Sequence, residues 1–125
     1  MIRSATVADA PGIAAIWNPV IRDTTVTFNP VQKSEPEVAA LTKRGDPFLV
    51  WAEPGRILGF TRCCQFRCGL GYLHTVEHTI LLHPDGRGRG GGRALMLALC
   101  DLARLPEVGF KFGRWIDLVL MLKRL

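Results

Sequence analysis

Residues 77–102 read EHTILLHPDGRGRGGGRALMLALCDL, and no other stretch of the chain narrows the fold as far. An apolar run, Thr79–Leu82, stops at His83-Pro84 and gives way to a loop of five glycines and three arginines, which opens directly into a leucine- and alanine-rich helix. The pattern predicts a strand, an anion-binding turn and a helix. Glycines lack Cβ and tolerate positive φ, so successive N–H groups can converge, and the helix that follows presents unpaired N–H groups and the positive end of its dipole. A diphosphate suits such a concavity.

Phosphate loops come in several kinds. A Walker P-loop needs Lys and then Ser or Thr after its last glycine, whereas Gly92 is followed by Arg93-Ala94. A Rossmann fingerprint needs a repeated β-α-β context and an acidic residue about 20 positions on, for which 125 residues leave no room. RGRGGGR also looks like a short RNA-binding RGG segment, but such segments belong to low-complexity tracts, and this one is wedged between an apolar strand and an apolar helix. Arg87-Gly88-Arg89-Gly90-Gly91-Gly92 does fit R-x-x-G-x-G. It resembles the pyrophosphate loop of the GCN5-related N-acetyltransferases (GNAT), where the loop holds acetyl-coenzyme A.

At 125 residues, 48% hydrophobic and 22% charged, the chain is expected to form one globular domain over 1–125. No run of about 18 apolar residues is present, and MIRSATVADA does not have a signal-peptide layout, so the expected location is cytoplasmic, with no membrane partner. A net charge of +5 favours an anionic ligand, which a coenzyme with several phosphates satisfies without nucleic acid. Cys63, Cys64, Cys68 and Cys100 show no C-x-x-C spacing, and adjacent Cys63 and Cys64 should point to opposite faces of a strand, so no metal is expected.

Along the chain, Met1–Ala5 reads as a strand. Thr6 and Asp9 resemble a capping box for a helix over Val7–Ile21, whose Ala10, Ile13, Trp17 and Val20 recur at helical spacing. Thr24–Phe28 is short, β-branched and stopped by Asn29-Pro30. Ser34 opens a second helix, Glu35–Lys43, with Val38 and Leu41 inward. Phe48–Glu53 and Ile57–Phe66 form a hairpin around Pro54-Gly55. Tyr72–Leu82 is expected to be the longest strand, with a bulge near its middle. Gly91–Arg104 is expected to be a largely buried helix, and Ile116–Met121 a last strand.

This order matches the GNAT fold, an α+β arrangement with a central, mostly antiparallel sheet flanked by helices. Asn18-Pro19-Val20-Ile21, Thr25-Val26-Thr27-Phe28, Tyr72 with Thr75-Val76-Glu77, and residues 109–115 with Asp117 are similar to the phosphinothricin N-acetyltransferase branch. That branch acetylates the amino group of phosphinothricin, methionine sulfoximine or similar small amino acids. There is one large departure: Arg104 runs straight into Leu105, where the family has a further strand and helix. In the family the pantetheine lies in the cleft beside that strand, and the helix carries an asparagine that contacts the coenzyme.

The resemblance implies acetyl-coenzyme A as cosubstrate and Glu77, in the family's T-V-E motif, as general base. It implies backbone support of pantetheine by Ile80, Leu81 and Leu82, and a diphosphate cradle at Arg87, Gly88, Arg89, Gly90, Gly91, Gly92 and Arg93. Acetyl transfer needs a neutral amine, a held thioester and a stabilised oxyanion, and a strand carboxylate before the coenzyme strand can supply the first. His78, next to Glu77, should lie on the other strand face. For an amino-acid-like amine the candidates are Phe28, Arg67, Tyr72, Lys111 and Trp115: cations for a carboxylate, aromatics for a side chain. Phe112 stands where phosphinothricin-selective members often have histidine, which favours a less anionic analogue. The residues leave a homodimer open.

Overall fold

The computed structural model describes residues 1–66, 68–72, 76–102, 109–111 and 114–116. Four strands make one antiparallel sheet in chain order: β1 Ile2–Ser4, β2 Phe48–Glu53, β3 Arg56–Gln65 and β4 Val76–Leu82. Two helices, α1 Ala10–Asp23 and α2 Glu35–Thr42, lie between β1 and β2, and α3 Gly91–Leu102 follows β4. A separate hairpin pairs β5 Gly109–Lys111 with β6 Arg114–Ile116.

Each helix follows from its sequence. In α1 the buried Ala10, Ile13, Ala14, Ile16, Trp17 and Ile21 form one stripe, which packs with Phe48, Val50, Phe60 and Leu81 on one face of the sheet. Phe60 is fully buried there, 5.0 Å from the Trp17 ring and 5.8 Å from that of Phe48. Ser34 caps α2 reciprocally: its N–H donates to Glu37 Oε2 at 2.7 Å, and its Oγ accepts the Glu37 N–H at 3.3 Å. On the other face α3 covers Leu49 and Cys63. The sheet is therefore filled on both sides.

Several expectations are corrected. Thr24–Phe28 forms bends and no strand; Thr24 Oγ1 donates back to the Val20 carbonyl at 2.6 Å, which curls the chain off the end of α1. The longest described strand is β3, with ten residues, against seven in β4; Leu70–Tyr72 is a 3-10 turn, and 73–75 lie outside the described residues. The β3–β4 register runs without a shift from Gln65↔Val76 to Gly59↔Leu82, so β4 has no bulge. The irregularity falls instead between β2 and β3 at Trp51/Ala52. In α3 only Gly91, Leu95 and Leu99 are buried, while Leu97 is 56% and Leu102 58% exposed. One helix laid on one sheet face buries one stripe, however apolar its other sides are. Of the Ile116–Met121 strand, Ile116 ends β6 and 117–121 lie outside the described residues.

Two polar groups carry stability in opposite senses. Asp9 accepts both Arg3 Nη1 and Nη2, at 2.7 and 2.8 Å, and the Thr6 N–H at 2.8 Å, locking β1 to the start of the helical layer. The Arg3 hydrogen bonds hold its carboxyl down from 3.8 to about 2. The unfolded chain therefore takes up the proton first as pH falls, so this stabilisation is complete above the ordinary value and is lost toward pH 2. Asp9→Asn should cost about 2 kcal/mol at pH 7, with the gap to wild type closing below pH 4 in urea unfolding. Thr61, paired with Leu49 and Ile80, is fully buried and its Oγ1 has no hydrogen-bond partner among the described residues. Thr61→Val keeps the shape and removes the orphan; it should stabilise the fold by about 1 kcal/mol in the same measurement.

Candidate functional site

At the end of β4 the chain enters the glycine loop under close control. The His83 N–H donates to the Leu58 carbonyl at 2.9 Å, and His83 Nδ1 accepts the Asp85 N–H at 3.1 Å, capping a 3-10 turn over Pro84–Gly86. Gly88 and Gly90 then take φ of +71° and +77°, left-handed conformations that side chains resist. The first hydrogen bond of α3 is from the Ala94 N–H to the Gly90 carbonyl, 3.1 Å. The N–H groups of Gly91, Gly92 and Arg93 thus precede any intrahelical acceptor, and Gly90 has no side chain with which to cap them. That is a set of donors at a helix N-terminus, suited to an anion.

Trp51 is the floor of this loop. A Cβ at Gly91 would run into the Trp51 ring, whereas one at Gly92 would sit 3.5 Å from Leu82 Cδ1, an ordinary contact. The Arg89 guanidinium lies 5.2 Å from the Trp51 ring centroid and donates to Glu53 Oε1 at 2.6 Å. Arg89, and then Arg56, hold the Glu53 carboxyl below the ordinary glutamate range. Trp51 and Glu53 were not singled out in the sequence; the one signal was the Pro54-Gly55 turn, which puts Glu53 at the hairpin tip. Arg87 and Arg93 are exposed, and Arg87 reaches the rim of a cleft of about 330 Å3 lined also by Ile16, Pro19, Val20, Leu82 and His83. The cleft joins the α1 layer to the loop.

The remaining residues predicted for the site are more scattered. On β4, Leu81 is buried and Ile80 and Leu82 are half-buried, with their side chains used in the two cores. Beyond β4 the sheet has no further strand among the described residues, so the backbone edge of Ile80–Leu82 has β3 on one side only. Glu77 is exposed, opposite Cys64 in the register, and the Cys64 thiol donates to its Oε1 at 3.7 Å. Burial pushes the Cys64 thiol up. His78 pairs with Cys63 on the other face. Phe28 is 96% exposed on the segment between α1 and α2, away from any packed wall. Tyr72 ends the 3-10 turn beside which β5 runs, Lys111 and Trp115 lie on β5 and β6, and Arg67 is outside the described residues. The four cysteines are free, and no group of three potential metal ligands occurs among the described residues. No helix among them is long and apolar enough to cross a membrane.

An antiparallel sheet whose last strand feeds a donor-rich glycine loop and a helix frames a site suited to a phosphate-bearing ligand. The chain matches the acetyltransferase (GNAT) family model over residues 17–112 and belongs to that family. It is 33% identical to the L-methionine sulfoximine/L-methionine sulfone acetyltransferase of Pseudomonas paraeruginosa, over 96% of this chain and 91% of that protein. It is 31% identical to the phosphinothricin N-acetyltransferase of Alcaligenes faecalis, over 90% of this chain and 76% of that one. The solved structure of yncA from Salmonella typhimurium with its cofactor acetyl-CoA superposes with a TM-score of 0.79 at 28% identity, covering 92% of this chain and 87% of that one. The Pseudomonas alignment runs over 157 positions, while 96% of 125 residues is about 120, so about 37 positions of that relative have no counterpart here.

The loop geometry separates two neighbouring glycines. Gly91→Ala should destabilise the protein by about 2 kcal/mol through overpacking on Trp51. Gly92→Ala should be neutral or gain up to about 1 kcal/mol from helix propensity. Urea unfolding of the two variants distinguishes them.

Proposed function

We propose that this protein transfers the acetyl group of acetyl-coenzyme A to the amino group of a small amino-acid-like substrate of the methionine sulfoximine or phosphinothricin type. The observation that carries the reading is the donor set at Gly91–Arg93, preceded by two left-handed glycines and floored by Trp51, at the end of a strand with one edge unpaired among the described residues. Those groups fit a diphosphate, with Arg87 and Arg93 adding charge beside it. The relatives named above, which act on such amino acids, support the acceptor class.

Bound acetyl-coenzyme A supplies an activated thioester. The residues of this chain do the rest. Backbone groups of Ile80–Leu82 support the pantetheine along the open edge of β4, and one N–H there faces the developing oxyanion. Glu77 accepts the proton of the substrate ammonium, directly or through water, and frees its lone pair. The amine nitrogen then bonds to the acetyl carbon, the carbon–sulfur bond breaks, and the second proton released by the new amide nitrogen goes to the departing thiolate. Phe28, Arg67, Tyr72, Lys111 and Trp115 are the proposed acceptor contacts; the first lies on the α1–α2 segment, while Tyr72, Lys111 and Trp115 fall on the adjoining turn and hairpin.

A second reading has its own observation. The positions without counterpart in this chain number about 37, enough for a strand and a helix, and we place them between Arg104 and Leu105. A chain lacking that wall of the cleft would bind coenzyme without turnover.

Thiol release from acetyl-coenzyme A, with methionine sulfoximine and phosphinothricin as acceptors, decides between the two. Turnover is expected, with kcat falling about 10²–10³-fold in Glu77→Gln while coenzyme affinity is held. Coenzyme binding without turnover would establish the second reading, and wild-type activity retained in Glu77→Gln would remove Glu77 as base.

A further inference from the structure

Glu53 stands at the tip of the β2–β3 hairpin and touches two arginines at once. Its Oε1 accepts Arg89 Nη2 at 2.6 Å and its Oε2 accepts Arg56 Nη2 at 3.1 Å. Arg56 continues through Nη1 to Asp85 Oδ2 at 3.2 Å. Asp85 lies in the turn before the glycines and Arg89 lies among them, so the network leaves the loop at one point and re-enters it at another, with the hairpin tip between.

A loop of this composition has two inherent difficulties. Its glycines have wide backbone freedom, and ordering them costs more entropy than ordering other residues. Its arginines also repel one another until an anion arrives. A carboxylate reaching in from a rigid hairpin offsets both. It holds Arg89 over the Trp51 ring, where the guanidinium centre is 5.2 Å from the ring centroid, and it neutralises one of the converging charges. These pairs are half-exposed, so they add little to global stability. Their effect falls on the loop itself, as preorganisation of the bound conformation.

We infer that Glu53 is a positioning residue for the glycine loop, holding it through Arg89 and Arg56 in the conformation that receives the diphosphate. Arg89 is thereby committed to Glu53 and Trp51, and the side chains left to meet the anion are Arg87 and Arg93. The role in coenzyme binding rests on the function proposed above; the clamp on the loop does not.

Glu53→Gln keeps the shape and removes the charge. Amide hydrogen exchange of residues 86–93, without coenzyme, reads the clamp, and calorimetric titration with acetyl-coenzyme A reads its consequence. Faster exchange at these amides and about tenfold weaker coenzyme binding are expected, with an unchanged melting temperature. Unchanged exchange would overturn the clamp. Faster exchange with unchanged coenzyme affinity, or tighter binding because Arg89 is freed for the diphosphate, would overturn the positioning role. Wild type that fails to bind acetyl-coenzyme A would sink the coenzyme reading instead, while the exchange measurement still decides whether Glu53 holds the loop.

Discussion

Opposite Trp51 and Ala52, β3 carries one residue more than β2, and the carbonyl of that extra residue, Leu58, accepts the His83 N–H at 2.9 Å where β4 ends. That bond extends the β3–β4 register one pair past Gly59↔Leu82, catching the chain on its way out of the sheet and directing the Pro84–Gly86 turn across the end of the hairpin. Gly86 passes so close that a Cβ would lie 2.8 Å from the same Leu58 oxygen. With the turn seated there, Gly91 comes down on Trp51, and α3 starts where its first N–H groups are left to an outside acceptor. The donor set thus depends on the ladder bond that seats this turn and on the Trp51 ring beneath Gly91.

The two packed faces hold this arrangement from either side. Phe60, clamped between Trp17 and Phe48, fixes α1 over β3, and Leu95 and Leu99 fix α3 on the opposite face. The cleft at Ile16, Pro19, Leu82 and Arg87 lies where the α1 layer meets the loop, so its width is set by the same core that sets the sheet. The segment between α1 and α2 is pinned near its far end: Asn18 exchanges hydrogen bonds with the Lys33 carbonyl and N–H, both at 2.8 Å, and Lys33 Nζ lies 4.8 Å from the Trp17 ring centroid. Between these anchors Val26 and Phe28 stay exposed, apolar side chains that the core does not use.

What the sequence made legible was local. Phe48–Glu53, the Pro54-Gly55 turn and the return strand are set by alternation and turn chemistry over short distances, and the structure has them within a residue or two. The glycine loop was readable because glycines at left-handed positions and a helix start need no distant partner. The misses share the opposite property. Thr24–Phe28 has strand-forming residues but no neighbouring strand to pair with. The burial of α3 is set by what lies beside it, which the helix's own apolar residues do not encode. The extra residue at Leu58 has no local signature in the alternation of its own strand and shows only once β2 lies beside it. Trp51 and Glu53 read as ordinary strand residues until the fold brings Gly91 and Arg89 onto them.

Holding a coenzyme in this family divides physically into two tasks. The diphosphate end, as proposed, draws on the N–H groups of Gly91–Arg93, on Arg87, and on the support of Trp51 under Gly91, Glu53 on Arg89 and Leu58 on His83, all within residues 51–93. The pantetheine end needs a wall facing the open edge of β4, and the positions absent relative to the Pseudomonas protein are of the number that would build one. Charge-assisted contacts at the loop do not require that wall, because a helix N-terminus attracts an anion within its first turn and no further. Thioester placement does require it, since attack by an amine depends on reacting atoms held at about 3–3.5 Å. On the function proposed above, affinity and turnover are therefore separable: the first would rest on the loop, the second on what faces the β4 edge that has no strand among the described residues.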